Sequence, residues 1–420
     1  MILLSGADLV LPDHVVSSGT LVLDGDRIVD VGGGAVAGGA RDLQFDFPQH
    51  YIVPGFIDVH VHGVEGRDTL DGGDVIADIA GRMPAFGVTA FCPTSIACSP
   101  SALREMLAAV RRARTTRAPA GARVLPAHLE SNFISPEFKG VQPAECLRLP
   151  PSTLGPRYSD LGHRSSDIHD PSSPIHHPSS DWDGNDILRE IDAARPDVGI
   201  LTVAPELDGA VDLIRCLVAD GHHVSLGHSG ATYEQGLEGI RAGARQATHL
   251  FNRMMPATHR APGLTGAVLE SDDVVAELVC DGVHVHAAMV RVAMAAKRPE
   301  RIMAITDGTA GSGLPAGSRT TIGGRPITVR DGAYLDDGTL AGSVLTLDRA
   351  FARLVSGMGL SLSDAATVCS TTPARALNLQ GFGVIAPGAV ADLVVLDRDL
   401  RVVQTWVAGN LAWERSDIER

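Results

Sequence analysis

Short apolar runs, each closed by a polar or ionisable residue, recur through the middle of this 420-residue chain. They are Phe56–Val61, Val88–Cys92, Arg123–Leu129, Gly199–Ala204, His223–Gly227, Ala244–Thr248, Val274–Cys280 and Arg301–Thr306. Stretches with helical character, such as Ser101–Arg114 and Ala287–Ala296, lie between some of them. Strand-like runs alternating with helical patterns predict βαβ units and a parallel sheet. Eight such units predict an α/β fold of the (β/α)8 TIM type, in which chemistry gathers at the C-terminal ends of the strands.

The two ends of the chain read differently. Leu21-Val22-Leu23 runs into Asp24-Gly25-Asp26 and on to Ile28-Val29-Asp30-Val31, a hairpin pattern. A flexible Gly/Ala stretch follows from Gly32 to Gly39. Near the C-terminus, Ala391–Leu396 leads to a turn at Asp397–Asp399, then Val402–Val407 and Gly409-Asn410. These features predict one small β-sandwich domain built from both termini, residues 1–54 plus 381–420, around a catalytic barrel over 55–380. Pro54-Gly55 marks the break between them. One connection is oversized. Residues 150–184 are rich in Ser, Pro, Asp and His, including His163, His169, His176 and His177, and are expected to form a flexible insertion.

Composition narrows the class. At 44% hydrophobic the chain is not a wholly disordered one. Asp+Glu outnumber Lys+Arg by 50 to 35, for a net charge of -15, which disfavours binding nucleic acid or anionic membranes through the overall field. No apolar run is long enough to predict a transmembrane helix. The scattered cysteines, with no CxxC pair, and an N-terminus without a basic leader segment predict a cytoplasmic protein with reduced thiols.

The predicted strand ends carry the chemistry. The first ends His60-Val61-His62, and residues i and i+2 of a strand share a side. Alone, such a pair is equally two buried structural histidines. The third strand ends His128-Leu129-Glu130, the fifth Gly227-His228-Ser229, the sixth Thr248-His249-Leu250 and the eighth Thr306-Asp307-Gly308. If the barrel closes, these imidazoles and carboxylates meet at one mouth, an N/O donor set suited to divalent metals. A metal held by Glu130, His228 and His249 would lower the pKa of a coordinated water toward about 7, ready to attack a carbonyl carbon. Asp307 is placed as general base and then acid. His60 and His62 would hold a second metal. Zn²⁺, Fe²⁺, Mn²⁺ or Co²⁺ all suit these ligands.

Longer motifs surround these positions: Pro54-Gly55-Phe56-Ile57-Asp58-Val59-His60-Val61-His62-Gly63, Lys139-Gly140 after Glu130, and Val203-Ala204-Pro205-Glu206. Others are Thr248-His249-Leu250-Phe251-Asn252, Asp281-Gly282-Val283-His284-Val285, Leu340-Ala341-Gly342-Ser343 and Gly388-Ala389-Val390-Ala391-Asp392-Leu393. Through them the chain resembles, over nearly its whole length, the N-acetylglucosamine-6-phosphate deacetylase family of the amidohydrolase superfamily. The resemblance implies metal-dependent hydrolysis of the acetamido group of N-acetyl-D-glucosamine 6-phosphate, releasing acetate. It implies that Glu130, His228 and His249 are the main metal ligands and that Asp307 is the acid/base. His60 and His62 match members that carry a second metal. Asn252, Arg253, Arg260 and His284 match substrate or phosphate contacts, Leu340, Ala341 and Gly342 a loop over the sugar, and Val141 a backbone contact. The resemblance also implies a homodimer in which Arg260 reaches the neighbouring site. Residue chemistry agrees: Arg260 offers a fork of donors for phosphate, His259 and His284 add positive charge, and Gly342 allows close backbone approach.

Four positions depart from the family pattern. Ser131-Asn132 stand where Gly-Pro is usual, Gln142 where His is usual, Gly308 where Ala follows the Asp, and Arg253 where Ala follows the Asn. Gln142 donates a neutral hydrogen bond and cannot act as an acid. These departures bear on the substrate, with N-acetylgalactosamine 6-phosphate or another N-acyl compound as alternatives. Among rival classes, dihydroorotase and hydantoinase types need a carboxylated lysine on strand four. The only lysines are Lys139 and Lys297, so that branch is disfavoured. A non-catalytic interaction protein would have lost metal or acid/base residues, and none is lost.

Overall fold

The computed structural model describes residues 1–33, 43–116, 120–151 and 181–416. The insertion expected at 150–184, with His163, His169, His176 and His177, falls almost wholly outside the described residues.

Eight parallel strands form the barrel: β1 (Phe56–Val61), β2 (Val88–Ser95), β3 (in two pieces, Arg123–Val124 and Ala127–Leu129), β4 (Val198–Val203), β5 (His223–Leu226), β6 (Gln246–Ala247), β7 (Val275–Val279) and β8 (Ile302–Ile305). Each pairs in parallel with the next. Closure is made just beyond β8, where Asp307 N donates to His60 O at 3.1 Å and His62 N to Gly308 O at 2.8 Å. The barrel reading of the sequence therefore holds, with a bend breaking the third run.

A helix follows every strand, and local chemistry explains where each begins. Pro100–Thr115 starts with Ser99 accepting from Ala102 N and with Pro at its first position, where a missing N–H costs nothing. Its Leu103, Met106, Leu107, Val110 and Ala113 fall on one stripe and are buried. Gly184–Ala193 and Tyr233–Arg241 each open with a capping box, Asp183 with Asp186 and Thr232 with Gln235.

The terminal strands build two sheets. The first has four strands in the order Arg27–Gly33, Gly19–Asp24, Ile2–Ser5, Leu43–Asp46. The second has six: Asn410–Glu414, Val402–Val407, Leu393–Leu396, Tyr51–Pro54, Asp8–Val10 and Val15–Val16. Period-two alternation gives the second sheet two buried faces. Leu9, Ile52, Leu393 and Val395 join Leu4, Leu21, Leu23, Ile28 and Trp406 in a core between the sheets. Val10, Val53, Val394 and Leu396 point the other way, into the barrel's own core. Arg123 at the base of β3 grips Asp392 with two hydrogen bonds, 3.0 and 3.1 Å.

Among the elements the sequence reading missed, one lies beside the mouth. Between β8 and the helix Leu347–Ser356, a three-stranded antiparallel ribbon forms from Arg319–Ile322, Arg325–Val329 and Ala333–Tyr334. Its Ile322, Ile327 and Ala333 pack with Ile96, Val141 and Ala341 into a small separate core beside the mouth. No helix among the described residues is long and apolar enough to cross a membrane.

Candidate metal centre and active site

At the C-terminal mouth, Glu130, His228 and His249 converge from β3, β5 and β6. Glu130 Oε1 lies 2.8 Å from His228 Nε2 and 2.9 Å from His249 Nε2, and those two nitrogens are 3.0 Å apart. His60 Nε2 and His62 Nε2 form a second facing pair, 3.2 Å apart, with Asp307 Oδ1 3.5 and 3.3 Å from them. Glu130 joins the two groups, its Oε2 3.5 Å from His62 Nε2. All six side chains are buried.

Second partners fix what the facing nitrogens can do. His228 Nδ1 meets Phe138 O at 2.8 Å, and His60 Nδ1 meets Glu277 Oε2 at 2.9 Å. Each Nδ1 therefore carries the proton, and in the neutral ring Nε2 presents a bare lone pair to the mouth. Two pairs of converging imidazole nitrogens beside shared carboxylates fit a divalent cation, and the three-residue groups Glu130/His228/His249 and His60/His62/Asp307 each offer ligand atoms within 4.8 Å of one another.

The electrostatics agree. Burial opposes charge on Glu130, yet His228, His249 and His62 hold its carboxyl well below the usual range. Burial likewise opposes ionisation of Asp307, but His62 and His60 bring it down to about 2. His60 is raised to about 10 despite the cost of burial, chiefly by Glu277. These carboxylates draw positive charge into the mouth, which is what a bound cation supplies.

Strain concentrates here as well. His228, His249 and Asp307 have left-handed backbone, with φ of 48°, 31° and 49°. Such conformations are costly for residues with a Cβ and cluster at functional sites. Ser131, where Gly is usual in the resembled family, also has φ 65°, and its hydroxyl holds the turn by donating to Thr202 O at 2.6 Å.

A cavity of about 420 Å³ opens above the centre. Of the residues singled out from sequence, His62, Glu130, Val141, Gln142, His228, His249, Asn252, Arg253, His284, Asp307, Leu340 and Gly342 line it. Gln142 accepts from Ala97 N at 2.6 Å and donates to Glu130 Oε2, so it braces the central carboxylate. His284 is held by Asp281, Nδ1 to Oδ2, at 2.6 Å. Arg253 Nη2 donates to Leu340 O at 3.3 Å across the opening. Gly342, at φ 82°, packs so closely on Asp307 and Thr309 that a Cβ would meet Thr309 Cγ2 at 2.8 Å. Ala341 lies instead in the small core beside the mouth, and His60 lies beneath the cavity wall. His259 and Arg260 are exposed and outside this cavity.

His128 ends its strand as expected but serves the barrel interior. Its Nδ1 meets Val59 O and its Nε2 Thr202 Oγ1, both at 3.0 Å. Burial, and then His60, lower its pKa to about 4, so it is neutral. Three acids that matter went unassigned from sequence. Glu277 is described above. Asp58 accepts from Thr306 Oγ1 at 2.6 Å and ties β1 to the start of the Asp307 turn. Glu206 accepts from Ser229 Oγ at 2.7 Å and Gly230 N at 2.6 Å, pinning the loop after His228.

Comparison with known proteins gives a consistent picture. The amidohydrolase family model matches residues 199–412. N-acetylglucosamine-6-phosphate deacetylase of Bacillus subtilis (strain 168) is 32% identical over 86% of this chain and 84% of its own. N-acetylgalactosamine-6-phosphate deacetylase of Escherichia coli O157:H7 is 32% identical as well, over 86% and 87%. Among solved structures, a mutant N-acetyl-D-glucosamine-6-phosphate deacetylase of Mycobacterium smegmatis, in complex with N-acetyl-D-glucosamine-6-phosphate, superposes with a TM-score of 0.83. It is 31% identical and covers 98% of this chain and 99% of its own.

Proposed function

The chain belongs to the amidohydrolase family, and from that premise we propose that it hydrolyses the acetamido group of N-acetyl-D-glucosamine 6-phosphate to glucosamine 6-phosphate and acetate. The observation that carries this reading is the set Glu130, His228, His249 and Asp307 facing one cavity of about 420 Å³. We assign Glu130, His228 and His249 as the principal ligands of a divalent metal, Zn, Fe, Mn or Co, and His60 and His62 as the ligands of a second, with Asp307 beside both rings as the acid/base. Bound there, the metal supplies Lewis acidity, polarising the acetamido carbonyl and making water nucleophilic near neutral pH.

The remaining work falls to the chain. Asp307 takes the proton of the attacking water as the C–O bond forms, then returns it to the nitrogen as the C–N bond breaks, which releases acetate and a free amine. Asn252, the backbone at Val141 and the Leu340–Gly342 loop position the sugar. Arg253 gives the acidic protein a local positive group for an anionic substituent, and His284, oriented by Asp281, lines the same cavity. Gln142 holds Glu130 in place while facing the sugar.

We further propose a homodimer. His259 and Arg260 are exposed in the single chain, and a second copy would bring them to a neighbouring site. Ala341 would then act through the backbone of its loop, since its side chain is buried. We take residues 55–380 as the catalytic barrel and 1–54 plus 381–420 as its β-sandwich. None of the cysteines is paired, which suits the cytoplasmic setting we propose.

A second reading is favoured by one observation: the N-acetylgalactosamine-6-phosphate deacetylase of Escherichia coli O157:H7 is as identical to this chain, 32%, as the Bacillus subtilis N-acetylglucosamine-6-phosphate deacetylase. Acetate release by metal-loaded protein from N-acetylglucosamine 6-phosphate, its galacto epimer and both unphosphorylated sugars decides between them. We expect the gluco phosphate to be turned over fastest. A faster galacto phosphate would move the assignment to that epimer, and no turnover of any would overturn the deacetylase reading.

A further inference from the structure

Glu277 is a carboxylate in the middle of β7, fully buried, and it does not line the cavity. An unpaired carboxylate at that depth would be very costly, so its partners define what it does. Each hydrogen bond its carboxylate makes is one it accepts. Its Oε2 lies 2.9 Å from His60 Nδ1 and accepts from His249 N at 3.2 Å, while its Oε1 accepts from Gln246 Nε2 at 2.5 Å. His128, the other imidazole nearby, has both nitrogens engaged elsewhere.

We infer that Glu277 is a positioning residue of the centre: by holding the Nδ1–H of His60 it fixes the ring's tautomer and angle, so that Nε2 faces His62 and Asp307 as a ligand. The inference rests on the proposed metal-binding role of His60 and His62. A carboxylate behind a ligating imidazole orients the ring and raises its basicity, and losing one typically weakens metal binding about 10–100-fold. Glu277 also accepts from the backbone N–H of His249, a residue with left-handed φ, and an amide oxygen at this position would keep that contact.

Glu277→Gln is the suited variant. Its amide oxygen still accepts from His60 and His249, and its amide nitrogen donates to Gln246 once that amide turns over, so the charge goes while the shape stays. Metal-free wild type, Glu277→Gln and His60→Ala are titrated with Zn²⁺ or Co²⁺ against a chromophoric chelator, with metals per chain counted by elemental analysis. We expect two metals per wild-type chain, and in Glu277→Gln the weaker site loosened about 10–100-fold with the tighter one unchanged. Two unchanged affinities in Glu277→Gln would overturn the role of Glu277 alone. Equal weakening of both sites would overturn it too, since Glu277 would then act through the fold. One metal in wild type, unaffected by His60→Ala, would overturn the second metal itself. Histidine nitrogen NMR of cadmium-loaded wild type gives a check free of the variant's folding: coupling of the metal to His60 Nε2 supports the inference, and coupling to Nδ1 rejects it.

Discussion

Trp406 in the terminal sandwich and Glu130 at the barrel mouth are almost equally buried, 2% and 3% exposed, in opposite company. Trp406 shares a core with Leu4, Leu9, Leu21 and Leu23, its ring meets Phe45 edge-on at 5.1 Å, and its indole N–H donates to Gln404 at 3.1 Å. Strand alternation, apolar burial and polar satisfaction all favour the same structure there. Around Glu130 stand imidazoles whose nitrogens face one another and residues forced into left-handed backbone. The first region yields stability. The second stores unfavourable contacts that a cation would relieve, and the barrel beneath holds them in place.

The sharpest separation of the two regions comes from removing one function at a time. Asp307→Asn should lower kcat by about 10²–10⁴-fold, the range for a lost acid/base, with metal content kept and no loss of melting temperature. A near-wild-type kcat would remove Asp307 from the chemistry, and a large fall in stability would show that the mouth is structural after all. Trp406→Ala should do the converse. Truncating a large buried aromatic costs about 3–5 kcal/mol, read by urea unfolding, while kcat/KM of the folded protein stays within about twofold of wild type. A matching fall in kcat would mean that the two regions are coupled.

Arg253→Ala has the smallest expected effect. Losing a charged donor costs about 1.5–3 kcal/mol, so KM for the phosphorylated sugar should rise at least about tenfold. The unphosphorylated sugar should be little affected. Equal losses for both sugars would make Arg253 a brace between loops, through Leu340, instead of an anion contact.

How much of each region could be read from sequence follows from how local its signals are. The barrel was legible because each strand is an apolar run of its own, and the convergence of Glu130, His228, His249 and Asp307 because they fall at run ends. The sandwich was legible from turn residues such as Asp24-Gly25. Glu277 was not, because its partner His60 is distant in sequence and adjacent only once the barrel closes. Its one local trace was an acid inside the apolar run Val274–Cys280. Asp58 left the same kind of trace between Ile57 and Val59. The ribbon over 319–334 was missed because its strands are short and carry polar residues, Arg319, Thr320, Thr321, Arg325 and Thr328, among few apolar ones. The burial of Ala341 follows from that same ribbon. His128 stands two residues before Glu130 in the same run, and Val59 and Thr202, reached through folding, take up its two nitrogens.

The most direct test of the barrel mouth as a metal-dependent deacetylase site is the initial rate of acetate release from N-acetylglucosamine 6-phosphate, measured on the same protein before chelation, after chelation and after metal is restored. The expected result is activity that vanishes with the metal and returns with it, accompanied by one equivalent of free amine per acetate. Equal rates in all three states, or no acetate from fully loaded protein, would show that Glu130, His228, His249 and Asp307 do not perform this chemistry.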